Sequence, residues 1–322
     1  MYKIFIDGQE GTTGLEITDR LKGRNDIELL EIPGDKRKDS RVKKQFINNA
    51  DLVILCLPDA VARESVALAE NTATRFIDAS TAHRIHPDWV YGLAELPPSP
   101  GQDGDQTLKI QNAQFVANPG CYPTGFILMV KPLVDLGIIP RSYPATVHAI
   151  SGYSGGGKKL IQTHDTGDEG LMEDLAARPY GFALTHKHVP EMQVYTGLSH
   201  APIFTPSVGN FYKGMLVHLP LLPRLFKNRV DPDKLRAALG RIYAGKEFVK
   251  VMEQPTDHYL DQGFLSPLGC NDTNRVEIFV AGHGDQILVT ARLDNLGKGA
   301  SGAAVQNLNI MLGMDPGKGL KA

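Results

Sequence analysis

The chain has 322 residues, of which 42% are hydrophobic and 22% charged, and its formal net charge at pH 7 is −2. This length is sufficient for two domains, and the composition is that of a globular protein. The basic excess that is typical of nucleic-acid-binding proteins is missing. Three cysteines, few and odd in number, predict a reducing compartment and no disulfide framework.

The amino-terminal residues predict no targeting segment. The sequence MYKIFIDG enters a strand pattern at once, whereas a signal peptide begins with a basic segment followed by an apolar one. No apolar run approaches the length of about 20 residues that spans a membrane. We therefore predict a cytoplasmic protein with no membrane partner and no nucleic-acid partner.

Strand and helix patterns alternate through the first 80 residues. Apolar runs at 2–6 and 27–32 predict strands, with a helical pattern at 12–24 between them. Residues 51–58 form the continuous apolar run of a strand that is buried on both faces of a parallel sheet. This alternation predicts a doubly wound α/β domain, and the Pro-, Gly- and Asp-rich residues 95–106 predict an exposed loop.

Beyond an apolar helix predicted over 121–137, the pattern becomes β-rich. Segments such as 145–151, 215–221 and 275–282 are joined by short turns, which predicts a second domain built on a mostly antiparallel sheet. Residues 299–313 are rich in small side chains and predict a helix that packs back on the first domain.

Gly8, Gly11 and Gly14 lie directly after the first predicted strand and at the start of the first predicted helix. Glycine allows the backbone to turn tightly and to approach a pyrophosphate, which the unpaired N–H groups and the dipole of a helix N-terminus favour. In this position the motif predicts dinucleotide binding rather than a plain strand–helix turn.

The basic cluster Lys36, Arg37 and Lys38 follows the second predicted strand, close to Glu31. An acidic residue at this point suits the ribose hydroxyls of NAD, whereas cations suit the additional 2′-phosphate of NADP. A solvated charge run is the alternative interpretation. We predict NADP(H) as the cofactor.

Cys121 lies in the segment Asn118-Pro119-Gly120-Cys121, at the start of the predicted apolar helix. A helix N-terminus stabilises a thiolate, and its first-turn N–H groups can hold a developing oxyanion. Cys56 lies within an apolar strand, as structural cysteines do, and Cys270 has no evident base. Cys121 is therefore the predicted nucleophile.

His186 and His188 flank Lys187 in a segment predicted to be extended, where residues two apart point the same way. One of the two is the predicted acid/base, with Glu191 near enough to orient a ring. No third ligand stands at a suitable spacing, so no metal site is predicted.

A glycine-rich stretch at 151–158 begins with Ser151, Gly152, Tyr153 and Ser154. It does not match the GxxxxGK[ST] phosphate loop, because position 159 is Lys. We predict a flexible loop over the active site, with amide donors for a substrate anion.

Together these motifs resemble the N-acetyl-γ-glutamyl-phosphate reductase family in its shorter form. The resemblance spans nearly the whole chain. It rests on the amino-terminal glycine motif, NPGCYPT at 118–124, GYSG at 152–155, HKHVPE at 186–191 and DNLGKGASGAAVQN at 294–307. The cysteine segment is highly specific, and so is the order of the motifs.

The resemblance implies a Rossmann domain over 1–118, an α+β catalytic and oligomerisation domain over 119–297, and a carboxy-terminal helix over 298–322 that completes the first domain. It implies a homo-oligomer, either a dimer or a tetramer. It also implies that Cys121 attacks a small-molecule acyl phosphate in arginine biosynthesis and forms a thioester, which NADPH reduces to the semialdehyde. His188 is preferred to His186 as the acid/base.

The resemblance also implies the binding residues. The cofactor would contact Gly8, Gly11, Thr12, Thr13, Gly14, Lys36, Arg37, Pro58 and Asn307, and the substrate would contact Arg84, Asn118, Ser151, Gly152, Tyr153 and Ser154. Arg84 stands where the family carries an arginine for the anionic end of the substrate. Ala82 and His83 replace the family's usual Asp-Phe before that arginine, as fits the shorter form.

Three alternatives stay open. Aspartate-semialdehyde dehydrogenase has the same two-step chemistry but a different sequence around its cysteine. The reductase that acts on a carrier-protein-bound glutamyl phosphate in lysine biosynthesis shares much of the motif set. A non-catalytic NADP-binding sensor on the same fold would need neither Cys121 nor the two histidines.

Overall fold

The computed structural model describes residues 1–37, 39–99, 101, 104–165, 176–228 and 230–322. The chain divides into two compact units. The first comprises Met1–Ala94, Thr107–Gly120 and Ala300–Leu320, and the second comprises Glu95–Gln106, Cys121–Gly299 and Lys321–Ala322.

The secondary-structure elements of the described residues follow one another in chain order. The strands are β1 (Tyr2–Asp7), β2 (Ile27–Leu30), β3 (Leu52–Leu55), β4 (Arg75–Asp78), β5 (Val90–Tyr91), β6 (Phe115–Ala117), β7 (Thr146–Gly152), β8 (Ala177–Pro179), β9 (Ile203–Gly209), β10 (Met215–Leu221), β11 (Val249–Val251), β12 (Val276–His283) and β13 (Gln286–Leu293). The α-helices are α1 (Thr12–Leu21), α2 (Ser40–Asn49), α3 (Asp59–Ala67), α4 (Gln106–Asn112), α5 (Cys121–Asp135), α6 (Gly157–Asp165), α7 (Val189–Thr196), α8 (Pro232–Ile242) and α9 (Gly302–Met311).

The first unit is built on a six-stranded parallel sheet with the order β2-β1-β3-β4-β6-β5. All four residues of β3 are buried, because helices cover both faces of a doubly wound sheet. The continuous apolar run at 51–58 predicted this burial. The α/β class expected from the alternation of strands and helices is confirmed.

Helix α9 contributes to the core of the first unit. Ala304, Val305 and Leu308 pack in one buried cluster with Ile4 and Ile54 of the sheet. Every residue of α9 is buried, and the small side chains at its start permit close packing. The carboxy-terminal segment thus belongs to the same core as the amino-terminal strands.

The second unit is built on a seven-stranded mixed sheet with the order β11-β12-β13-β10-β7-β9-β8. The pairs β11–β12 and β7–β9 are parallel and the other pairs are antiparallel. The predicted, mostly antiparallel sheet is therefore present, with His283 paired to Gln286 across a two-residue hairpin. Helix α5 lies against this sheet, since a Cβ at Gly125 would be 3.1 Å from both Val217 and Ala291.

Between Glu95 and Gln106 the described residues form the predicted loop and are exposed or half-buried, but residues 95–106 do not group with the first domain. They cluster with the second unit, because Lys298 Nζ donates to Glu95 Oε2 at 2.6 Å and Lys131 Nζ donates to Ser99 Oγ at 2.8 Å. Glu95 is buried rather than exposed. Pro100, Gln102 and Asp103 lie outside the described residues. Among the described helices, none has both the length and the apolar character of a membrane span.

Candidate active site

The glycine motif forms a tight turn between β1 and α1. Gly8 has a φ of +89°, and a Cβ there would overlap the carbonyl oxygen of Cys56. A Cβ at Gly14 would lie 2.5 Å from the carbonyl oxygen of Gly8, and Gly11 N–H donates to that same oxygen at 3.0 Å. Only glycine fits at positions 8 and 14 without a shift of the backbone.

Helix α1 begins directly after this turn. Its cap residue, Gly11, supplies no side-chain hydrogen bond to the first turn, which contains Thr12 and Thr13. The N–H groups of that turn are the donors that a helix N-terminus offers to a phosphate. The turn and the helix start therefore fit the pyrophosphate of a dinucleotide, as the position of the motif predicted.

The predicted 2′-phosphate residues lie in and just after a 3₁₀ turn at Gly34–Lys36. Lys36 ends this turn, and Arg37 follows it and forms an ion pair with Glu10 of the glycine loop. Sequence reasoning did not single out Glu10, since nothing in the pattern shows which acid meets Arg37. Lys38 lies outside the described residues.

Asn307 of α9 is joined to Asn118 by a buried hydrogen bond. Asn307 Nδ2 donates to Asn118 Oδ1 at 3.0 Å and to the carbonyl of Gly92 at 2.9 Å. Its Oδ1 is also buried and accepts no hydrogen bond from the described residues. A buried amide oxygen in this state is costly, so it suits a ligand that supplies a donor.

Arg84 is buried and bonded to the backbone. Its Nε donates to the carbonyl of Asn118 at 3.0 Å, and one terminal nitrogen donates to the carbonyl of Ala79 at 3.2 Å. The neighbouring His83 stacks on Trp89 with ring centroids 4.0 Å apart. His83 thus supplies an aromatic ring directly before Arg84. Pro58, the remaining predicted cofactor residue, is the residue that precedes α3.

Cys121 is the first residue of α5, directly after Gly120, and it is half-buried. Its thiol is therefore at the helix N-terminus, where the dipole favours the thiolate. Burial raises the pKa of Cys56 to about 12 and that of Cys270 to about 11, so both of those thiols stay neutral near pH 7. Of the three cysteines, Cys121 has the setting of a nucleophile.

Two tyrosines lie close to Cys121. Tyr180 Oη donates to Tyr122 Oη at 3.2 Å. Burial raises the pKa of both phenols, that of Tyr180 to about 12, and the negative charge of a Cys121 thiolate raises both pKa values further. Both hydroxyls are therefore protonated at neutral pH, and the proton of Tyr180 is engaged on Tyr122 Oη. Sequence reasoning missed Tyr180, which is separated from Cys121 by 59 positions and carries no motif.

The two histidines meet through a turn and not through the predicted extended segment. His188 has helical backbone angles and caps α7, which starts at Val189 and has Pro190 in its first turn. The turn brings the rings to a centroid distance of 4.8 Å, and His188 N–H donates to His186 Nδ1 at 3.2 Å. Both rings lie beside the ring of Tyr122, at 6.0 and 5.8 Å. Glu191 is buried in the first turn of the same helix.

The flexible loop predicted over 151–158 is wrong. Strand β7 continues through Gly152, a 3₁₀ turn covers Tyr153–Gly156, and α6 starts at Gly157. Gly152, Tyr153 and Ser154 each donate a backbone N–H to a carbonyl of residues 211–214, at 2.9–3.0 Å. Ser151 and Ser154 are buried. Backbone hydrogen bonds thus hold this segment in one conformation.

No group of His, Cys, Asp and Glu side chains among the described residues has a geometry that could hold a metal ion.

Two known domain families match the chain. The NAD-binding domain of semialdehyde dehydrogenases matches residues 3–101, and the dimerisation domain of semialdehyde dehydrogenases matches residues 121–295. The chain therefore belongs to the semialdehyde dehydrogenase family.

Its relatives within that family are more specific. The chain is 48% identical to N-acetyl-gamma-glutamyl-phosphate reductase 2 of Nostoc sp., over 99% of both chains. It is 46% identical to N-acetyl-gamma-glutamyl-phosphate reductase of Burkholderia cenocepacia, over 96% of this chain and 97% of the relative. The resemblance inferred from the motifs is confirmed.

The fold resembles that of a solved structure, the aspartate semialdehyde dehydrogenase II of Vibrio cholerae. The TM-score is 0.71, and the match covers 97% of this chain and 98% of that one. The sequences are only 15% identical, so this likeness concerns the fold alone.

Proposed function

We propose that this chain reduces N-acetyl-L-glutamyl 5-phosphate to N-acetyl-L-glutamate 5-semialdehyde in arginine biosynthesis, with NADPH as the reductant. The observation that carries the proposal is Cys121 at the start of α5, with Tyr122, Tyr180 and the paired histidines in the same unit. The names of the close relatives support the choice of substrate. We further propose a cytoplasmic homo-oligomer, a dimer or a tetramer, formed through the dimerisation domain.

Cys121 performs the covalent steps. Its thiolate attacks the acyl carbon, an S–C bond forms, the C–O bond to phosphate breaks, and inorganic phosphate leaves. The first-turn N–H groups of α5 stabilise the oxyanion that develops on the acyl oxygen. A thioester is a good acceptor for reduction, since the sulfur leaves readily in the last step.

NADPH, when bound, would supply the hydride for reduction of the thioester carbon. Gly8, Gly11, Thr12, Thr13, Gly14, Lys36, Arg37, Pro58 and Asn307 would hold this cofactor. A histidine, His188 by preference, donates a proton to the oxyanion that hydride addition leaves on the thioester oxygen, and takes the same proton back in the last step, when the C–S bond breaks and the Cys121 thiolate is regenerated. We propose that Arg84, Asn118 and residues 151–154 bind the substrate.

The test is the reverse reaction, because the acyl phosphate is unstable. N-acetylglutamate semialdehyde, phosphate and NADP are mixed with the enzyme, and NADPH absorbance is followed. We expect phosphate-dependent NADPH formation that falls to background in Cys121→Ser, since a hydroxyl at this position has no comparable ionised form. Cys270→Ala serves as the control, because the Cys270 thiol is buried and neutral.

The choice of aldehyde separates the proposal from its rivals. Conversion of aspartate semialdehyde or of a carrier-linked semialdehyde, but not of the N-acetylated one, would support the proposed mechanism and contradict the proposed substrate. If the protein binds NADP but converts none of the three aldehydes, the result would favour the non-catalytic NADP-binding sensor.

A further inference from the structure

The segment 294–299 leads from β13 into a π-helical turn at Gly297–Ser301, directly before α9. The carboxylate of Asp294 accepts from the N–H of Leu296 at 2.9 Å and from the N–H of Asp272 at 2.8 Å. Gly299 N–H donates to the carbonyl of Asp294 at 3.0 Å. The segment carries the DNLGKG motif, and the proposed chemistry assigns it no role.

Asn295 of this segment bridges two other parts of the unit. Its Oδ1 accepts from Gly214 N–H at 2.8 Å, and its Nδ2 donates to Ser154 Oγ at 2.9 Å, and both bonds are buried. Gly214 also accepts a hydrogen bond from Gly152 N–H at 2.9 Å. One side chain therefore ties the 151–154 segment and the neighbouring 211–214 turn to the 294–299 segment.

Gly299, at the other end of the segment, lies against the nucleophile. A Cβ at this position would be 2.8 Å from Cys121 Cβ and 3.2 Å from Cys121 Cα. Distances under about 3 Å between such carbon atoms require one of them to move. The absence of a side chain at Gly299 thus leaves the room that Cys121 Cα and Cβ occupy.

The segment is anchored independently of both ends. Lys298 is buried, and its Nζ donates to Glu95 Oε2 at 2.6 Å and lies 5.6 Å from the centre of the Phe248 ring. A buried ion pair is a geometric constraint, because moving either partner leaves an uncompensated charge. The ion pair of Lys298 thus adds a third attachment of the segment, beside those of Asn295 and Gly299.

We propose that the 294–299 segment is a positioning element for the reaction: Asn295 fixes the substrate-binding 151–154 segment through Ser154, and Gly299 fixes the Cys121 side chain. In this proposal both residues act through others, Asn295 through Ser154 and Gly299 through Cys121. The inference rests on the proposed function, because it takes Cys121 as nucleophile and residues 151–154 as substrate ligands. It predicts that substitutions at Asn295 and at Gly299, near the two ends of the segment, give two different kinetic defects.

The experiment compares Asn295→Ala with Gly299→Ala in the reverse assay. Asn295→Ala should raise KM for the aldehyde by about tenfold or more, because displacements near 1 Å are costly in aligned sites. Its KM for NADP and its rate of thiol alkylation by iodoacetamide should stay within about twofold of the parent values. Asn271→Ala is the matched control, since Asn271 bonds the carbonyl of Lys213 in the same turn but does not bond Ser154.

Gly299→Ala should show the opposite pattern. Alkylation of Cys121 at pH 7 should slow by about tenfold, with its pH midpoint raised, because the added methyl moves the thiol from the helix N-terminus. KM for the aldehyde should change by less than about twofold. Gly240→Ala is the control, because a Cβ at Gly240 in α8 meets nothing within 4 Å. An unchanged alkylation profile in a folded Gly299→Ala would overturn the role of Gly299.

A double-mutant cycle tests Asn295 even if one variant folds poorly. Ser154→Ala removes the same hydrogen bond from the other side, so the double variant Asn295→Ala/Ser154→Ala should be no worse in KM than the worse single variant. Additive losses, or losses only in melting temperature with KM unchanged, would overturn the role of Asn295. If the parent enzyme converts none of the aldehydes, the proposed function is contradicted. The alkylation of Gly299→Ala needs no substrate, so it still tests the role of Gly299 in that case.

Discussion

The two histidines before α7 differ in what their ring nitrogens already do. His186 Nδ1 accepts the backbone N–H of His188, so in its neutral form the proton of His186 is on Nε2. The lone pair of His186 Nδ1 is therefore engaged, and His186 holds the backbone of His188 in place. His188 lies nearer to Tyr122 and is the more buried of the two. This difference in hydrogen bonding favours His188 as the acid/base.

Substitution by Asn should separate the two roles. His188→Asn should lower kcat by about 10²–10⁴-fold, because it removes the group that moves the proton. His186→Asn should cost less, since the Asn side-chain oxygen can still accept the His188 N–H. The measurement is kcat of the reverse reaction across pH, with Lys187→Ala as the exposed control between them. A larger loss in His186→Asn would exchange the two assignments.

At the scale of elements, the features set by residues close in sequence could be predicted better than the contacts between residues far apart in sequence. The strand–helix alternation, the apolar β3 and the glycine turn all follow from residues close in sequence. The cysteine at the start of α5 could be placed because Pro119 and Gly120 precede an apolar helical pattern.

Three features of the candidate site were not predicted. The extended form assigned to residues 186–188 ignored Pro190, whose fixed φ favours the first turn of a helix and should have placed a cap at His188. Gly299 and Cys121 are 178 positions apart in the chain, and the periodic patterns of a sequence do not indicate contacts over such a separation. The pairing of Glu10 with Arg37 is likewise set by the fold.

The glycine turn before α1 gives an element-scale prediction. Gly8→Ala should abolish NADPH binding and destabilise the fold by about 1–3 kcal/mol, because it combines a left-handed backbone with an overlap on Cys56. The measurements are NADPH fluorescence titration and urea unfolding. Gly23→Ala is a matched control: Gly23 has a φ of +78° but a Cβ there meets nothing within 4 Å, so it should keep NADPH binding. Equal NADPH affinity in both variants would contradict the role of the turn.

At the scale of the whole molecule, a row of polar side chains crosses the sheet of the second unit. His148 on β7 pairs with His218 on β10, and their rings are nearly parallel with centroids 6.1 Å apart. His148 Nδ1 lies 3.2 Å from Thr205 Oγ1, and His218 Nδ1 lies 2.9 Å from Thr290 Oγ1. Burial, and then the neighbouring His148, lower the pKa of His218 to about 4.

This histidine pair should make the stability of the protein depend on pH. The pKa of His218 in the folded state is below the value of about 6.5 expected for an unfolded chain, so the unfolded state binds the proton more tightly. The contribution of His218 is therefore fully present above pH 6.5 and is lost as the pH falls from 6.5 toward 4, by at most about 3 kcal/mol. Urea unfolding at pH 7.5 and at pH 5 measures the difference. In His218→Gln the loss between these two pH values should shrink, whereas the exposed His200→Gln should keep it. If both variants lose as much stability as the parent, another group controls the acid sensitivity.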